Sequence, residues 1–205
     1  MNEKTPLGKI ELKSISDPNE FQKVFEIKLF AAIFKDKSIK EEYYKKLEEY
    51  CNYVLNYIKT LEKNSIFINK IYFEALDIGS EVALEIVEKI LKTVPPYKKI
   101  LDYLLEKKAT LQKTEDEVLL NESLAWLEGM TSLEGTQIDL QFYLDSLKER
   151  DEYISTWMAI DLKENENAVI FLSYERNLDL KEPLKLIKIR PPIADDLETI
   201  IKKIN

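Results

Sequence analysis

Glu85-Ile-Val-Glu88 sets two carboxylates one helical turn apart, and Asp102 and Glu106 follow at a four-residue spacing on the next expected helix. Paired acids on facing helices can hold Mg²⁺ or Mn²⁺, which accept oxygen ligands and do not need histidine. Lys89 and Lys92 interleave with these acids, as they would on a solvated helix face. A second candidate is Asp161-Leu-Lys163, which closes the run Trp157-Met-Ala-Ile; on a strand, residues two apart share a face. Its lysine, however, opens the polar stretch Lys163-Glu-Asn-Glu-Asn167. The remaining nucleophile is Cys51, the sole cysteine, in a chain of 205 residues with no histidine. That absence removes Ser-His-Asp and Cys-His catalysis, Cys/His zinc sites and haem ligation by histidine, and a single cysteine cannot form an internal disulfide. Cys51 lies in an apolar helical stripe, where a thiol is buried and inert. No G-x-G-x-x-G, G-x-x-x-x-G-K-[ST] or G-x-S-x-G occurs, so phosphate loops and nucleophile elbows are unsupported. The expectation is no catalytic residue, no bound cofactor and no metal.

Three short stretches resemble known motifs. The paired acids are similar to those of helical nucleotide pyrophosphohydrolases, except that Asp102 and Glu106 are four apart where that family has three. Asp161-Leu-Lys163 resembles the D-x-K of a nuclease core, without the upstream strand that would carry its second acid. Gly79 to Pro95 resembles the second helix of a tetratricopeptide repeat at Ala83 and Pro95, whereas Lys70, Ile71 and Glu74 depart from the pattern of the partner helix. Each covers a fragment of the chain, and no family is assigned on them.

Charge is informative where chemistry is not. The net charge is −8, and Thr114 to Glu149 carries all of it: nine acids against Lys148 alone. Glu115, Glu117, Glu122 and Glu128 are the candidate docking residues for a basic partner, with Val118, Leu119, Leu124 and Leu127 expected to face the body. Lysine outnumbers arginine 27 to 3, a usage resembling that of hyperthermophile proteins. Lys98, Lys99, Lys107 and Lys108 form a lysine patch that offers an alternative contact for nucleic acid.

The elements that must position these residues read mostly as helices. After a short strand at 9–15, Asp17-Pro18-Asn19-Glu20 starts a helix expected to run to Lys35, apolar on nearly all sides. Ser38-Ile-Lys-Glu41 opens a second helix to about Lys63, with Tyr43, Leu47, Tyr50, Val54, Tyr57 and Leu61 at alternating spacings of four and three. Ser65 to Val94 (with a break at Gly79-Ser80), Tyr97 to Gln112, Thr114 to Gly129 and Gln137 to Arg150 read as further helices, and Thr114 to Glu117 as a capping box. Tyr153 to Leu162, Ala168 to Tyr174 and Leu184 to Arg190 read as strands, the first two joined as a hairpin, before a last helix from Ala194 to Ile204.

The expected fold is therefore mainly α: a multi-helix bundle or helical-hairpin array over 1–150, with a small C-terminal β-β-β-α element over 151–205. Phe21, Phe25, Phe30, Phe34, Tyr43, Tyr50 and Tyr57 exceed what a monomer easily covers, so they are the candidate oligomer interface of a homodimer or hetero-complex. No apolar leader or membrane-length run is visible, which points to the cytoplasm. The expected function is a non-enzymatic interaction or scaffold subunit of a larger assembly. Nucleic-acid binding through the lysine patch and a carboxylate–Mg²⁺ hydrolase are the alternatives.

Overall fold

The computed structural model describes residues 22–131 and 137–204. It corrects the expected fold class. The described chain is an α/β structure built on one five-stranded sheet, all parallel, in the order β3-β2-β4-β1-β5. Its strands are β1 (Gln22–Leu29), β2 (Lys70–Phe73), β3 (Thr110–Gln112), β4 (Ala168–Ser173) and β5 (Leu184–Lys188). The helices are α1 (Lys37–Lys63), α2 (Ser80–Leu91), α3 (Lys98–Glu106), α4 (Glu117–Thr131), α5 (Gln137–Asp161) and α6 (Ile193–Ile204).

The largest correction is β1. Its residues read as a helix buried on every side, and they are buried on both faces of a sheet instead. Phe25-Glu-Ile-Lys-Leu29 does alternate, apolar toward one face and charged toward the other, but the apolar run from Leu29 to Phe34 and the cap-like Asp17-Pro18-Asn19-Glu20 on either side make the whole stretch read as a helix. β2 and β3 are four and three residues long, and each lay hidden inside a longer expected helix. The opposite error falls at Tyr153 to Leu162, rich in aromatic and β-branched residues but forming the end of α5. There Ile154, Met158 and Leu162 recur every fourth residue and pack on the sheet, and that packing outweighs strand propensity. The expected hairpin of Tyr153 to Leu162 with Ala168 to Tyr174 is also absent, because its first arm is helix and β4 pairs in parallel with β1 and β2 instead. A boundary at Arg150 falls inside α5, and the expected strand at 9–15 lies outside the described residues.

Two packed layers cover the sheet. On one face Phe25, Ile27 and Leu29 of β1, Ile71 and Phe73 of β2, and Val169 and Phe171 of β4 meet α1, α2, α3 and α6. On the other, Val24, Tyr72, Ile170 and Leu172 meet Ile154 and Met158 of α5, with Leu178 of the β4–β5 connection. The helix expected from residue 38 is present. Its cap is Asp36, whose carboxylate accepts from Ser38 N at 2.7 Å and Ile39 N at 3.3 Å. The last helix is present as well, closing on α1.

The tyrosine stripe of α1 has a specific use. Tyr50 Oη accepts from Lys28 N at 3.0 Å, and Tyr43 Oη donates to Phe30 O at 2.8 Å. Tyr97 Oη accepts from Phe30 N at 2.9 Å and donates to Lys28 O at 2.7 Å. These hydroxyls satisfy the backbone where β1 runs out of strand partners, in a site too dry for water to do so.

Candidate functional site

Adjacent strands β2 and β4 send their connections to opposite faces: β2 continues into α2 on the first face, and β4 into the Leu178 segment on the second. Such a divergence leaves a crevice at the carboxyl ends of the strands, the usual place for a site in open parallel sheets. Charged side chains fill it here. Glu74, just past β2, accepts from Ser173 N at the end of β4 and pairs with Arg176 Nη1 at 3.0 Å. Arg176 Nη1 also lies 3.1 Å from Glu115 Oε1, and its Nη2 pairs with Asp151 of α5. Glu115 is gripped a second time by Arg150, through Nε and, at 2.8 Å, through Nη2, while Arg150 Nη1 donates to Ser123 of α4 at 3.0 Å.

The backbone is bent to serve this network. Ala75 has φ 62°, a left-handed conformation that costs a residue with a Cβ about 1–2 kcal/mol. Its N–H donates to Glu115 Oε1 at 2.9 Å. Thr114 and Glu115 are held by their N–H groups on Leu76 O at 2.7 and 3.0 Å, and Thr114 Oγ1 accepts from Phe73 N at 2.9 Å. Thr114 is thus not the cap of α4; Asp116 is, accepting from Val118 N at 2.9 Å and Leu119 N at 3.3 Å.

Burial pushes the Glu115 carboxyl up, but the hydrogen bond and charge of Arg150, with the charge of Arg176, overcome it and hold the group below the usual carboxylate range. Asp151 goes the other way: its burial outweighs Arg176 and raises its pKa. A deeper branch runs into the sheet, where Lys28 donates to Arg176 O and lies 3.0 Å from Glu26 Oε1. That oxygen and Arg176 Nε are buried without a hydrogen-bond partner. Apart from those two atoms the charged groups pair with one another, so they bolt the sheet to the helices.

What this bolt holds is the α4–α5 hairpin. α5 has 25 residues, about 37 Å of helix at 1.5 Å per residue. β4 has six, about 20 Å of strand. Only the C-terminal part of α5 lies on the sheet, so its first half stands beyond the carboxyl edge with α4 packed along it. Trp126 and Phe142 stack across the pair, their rings 4.7 Å apart.

The residues singled out from the sequence are placed as follows. Of the docking acids, Glu117, Glu122 and Glu128 are exposed on α4, but Glu115 is fully buried in the bolt. Val118, Leu124 and Leu127, expected to face the body, are exposed. Phe25, Phe30, Tyr43 and Tyr50 of the expected oligomer interface lie inside the chain's own core, with Phe34 and Tyr57 half-buried against it. Phe21 lies outside the described residues.

In the lysine patch, Lys98 bonds Asp102 at 2.8 Å and lies 3.4 Å from Glu88, Lys99 bonds Glu48 and Asn52, and Lys107 lies 3.4 Å from Glu62. Lys108 is exposed, at a φ of 67°. Lys98 thereby occupies the space between the candidate metal acids, and no three metal-ligating side chains converge among the described residues. Asp161 lies at the opposite end of the sheet, where it accepts from Tyr72 Oη at 2.7 Å and pairs with Lys70 at 3.0 Å. Cys51 is buried and its pKa is raised by desolvation. No described helix is long and apolar enough to cross a membrane.

Sequence reasoning passed over Glu74, Arg150, Asp151 and Arg176. One signal was available: the chain uses only three arginines, and two of them are these buried forks. Where lysine serves everywhere else, a retained arginine marks a position needing planar, bidentate donors. Comparison of the chain with family models, with curated proteins and with solved structures found no match.

Proposed function

We propose that this chain is a non-enzymatic interaction subunit of a larger assembly, and that it presents the α4–α5 end of the molecule to a protein partner. The supporting observation is the uneven placement of exposed large apolar side chains. Ile33, Ile39, Ile78, Val82, Val118, Leu124, Leu127, Leu140, Phe142 and Leu144 belong to the carboxyl-edge end and the hairpin, against Phe67 and Ile160 at the other end. Exposed apolar residues scattered over a surface are ordinary, but their concentration at one end is the mark of a binding surface. A lone helix pair with apolar outer flanks also gains stability from being covered. The exposed acids Glu117, Glu122, Glu128 and Glu149 lie on the same two helices as Val118, Leu124, Leu140 and Phe142, which favours a basic partner.

The test is site-specific photo-crosslinking in native extract. A photoreactive residue at Val118, Leu124 or Phe142 is expected to yield saturable adducts to one and the same protein, with none from Phe67 or Ile160. Equal labelling from both ends, or no saturable adduct from the hairpin, would overturn the reading.

A further inference from the structure

Leu140, Leu144, Leu147, Asp151, Ile154, Met158 and Leu162 follow one another at spacings of four or three, so they form one stripe along α5 and its end. The lower part of the stripe is the part that packs on the sheet: Ile154 and Met158 are 0% exposed and Leu162 2%. Past the carboxyl edge the same stripe continues with no sheet beneath it, and Leu140 and Leu144 are 43% and 44% exposed. From Leu140 to Asp151 this overhang is about 16 Å long, three turns of a facing helix. At its foot lies an open cleft of about 440 Å³, lined by Asp151, Glu152 and Asp179 with Lys148 and Lys181 among them.

We propose that this overhang is a groove for a basic amphipathic helix of a partner protein, apolar side chains laid on Leu140, Leu144 and Leu147 and lysines or arginines turned toward the acids of the cleft at its foot and of the acidic hairpin. The proposal rests on the interaction reading above and names the seat and the chemistry of its occupant. Charge selects that occupant. The segment from Thr114 to Glu149 carries −8, so a second copy would bring a like-charged hairpin against this one. The chain's own residues 1–21 hold four acids against three lysines and offer no complement either. A cationic helix gains on both counts, since its apolar face extends the packing that Ile154 and Met158 already make on the sheet, and its charges meet a segment of opposite sign.

The experiment uses the full chain and a synthetic helical peptide of about 18 residues, leucine at i, i+4, i+7 and i+11 and lysine elsewhere. Binding is followed by the anisotropy of a fluorophore on the peptide and by calorimetry. The expected Kd is on the order of micromolar at low salt and rises with ionic strength. L140S/L144S should weaken it at least about tenfold with an unchanged melting temperature, while I160S should stay within about twofold, because Ile160 lies at the other end of the molecule.

Equal affinity for the same peptide with glutamate in place of lysine, an unchanged Kd in L140S/L144S, or no binding at hundreds of micromolar would each overturn the proposal. So would sedimentation showing that the chain dimerises through these two leucines. Crosslinks from Val118, Leu124 and Phe142 that persist in L140S/L144S would leave the interaction reading standing while removing the groove. Their loss, together with the peptide's, would join the two.

Discussion

Replacing Arg150 by alanine tests whether the carboxyl-edge network is the bolt of the hairpin. Glu115 is 0% exposed and keeps two partners in the variant: Arg176 at 3.1 Å and the Ala75 N–H at 2.9 Å. It loses both bonds from Arg150, and Ser123 loses its donor. Removing one member of a buried ion pair strands the other, at a cost of about 3–5 kcal/mol. With an m-value of about 2 kcal/mol/M in urea, the unfolding midpoint should fall by about 1.5–2.5 M.

The pH dependence gives an independent check with a definite sign. A carboxyl whose folded pKa is depressed stabilises the fold above its unfolded pKa, here near 4.5, and that contribution drains away as pH falls through the lower folded value. Asp151 has the opposite sign: its contribution is full below 3.8 and is lost as pH rises through its raised folded pKa. The wild-type chain should therefore lose stability below about pH 4.5 through Glu115. In R150A desolvation of Glu115 regains the upper hand, and that acid limb should flatten. Urea titrations at several pH values between roughly 3 and 7 read both effects. A midpoint within about 0.3 M of wild type, with the acid limb unchanged, would refute the assignment of Arg150 as the group that holds Glu115 ionised.

Other consequences are checked by similar means. Met158→Ala, at the buried end of the α5 stripe, should cost about 2–5 kcal/mol, whereas Leu144→Ala at its exposed end should change stability by less than about 1 kcal/mol in the same urea assay. Tyr97→Phe removes the hydroxyl shared by Lys28 and Phe30 and should cost about 1–3 kcal/mol, seen as a lower calorimetric Tm. Truncation after Arg150 deletes β4, the strand joining β1 to β2, and should give a chain without cooperative unfolding by circular dichroism; a residual cooperative transition would restore a separable helical body. Neutralising Glu117, Glu122 and Glu128 together should leave Tm within a few degrees, because exposed charges contribute little, and should slow association of the lysine peptide measured by stopped flow.

The local signals that survive in the sequence are those that tertiary structure does not alter. α1 and α6 were legible because a helix with one buried face keeps its 3.6-residue pattern and is capped by nearby residues such as Asp36. β4 and β5 were legible as strands from β-branched and apolar runs between turn residues, though not as parallel neighbours of β1. The absence of histidine and the acidic stretch from 114 to 149 needed no structure at all. What only the tertiary structure decided are the pairings. β1 is an inner strand of a parallel sheet, and its alternation of Phe25, Ile27 and Leu29 with Glu26 and Lys28 was overridden by the apolar run from Leu29 to Phe34 that continues past it. Glu115 looks like any other acid of its run until chain reversal brings Arg150 and Arg176, 35 and 61 residues further on, to its two oxygens. Leu140 and Leu144 carry the same helical period as Ile154 and Met158, and nothing in that period records where the sheet beneath α5 ends. Hydrophobic spacing specifies which side of a helix seeks cover; the extent of the cover is set by the lengths of strands distant in the chain.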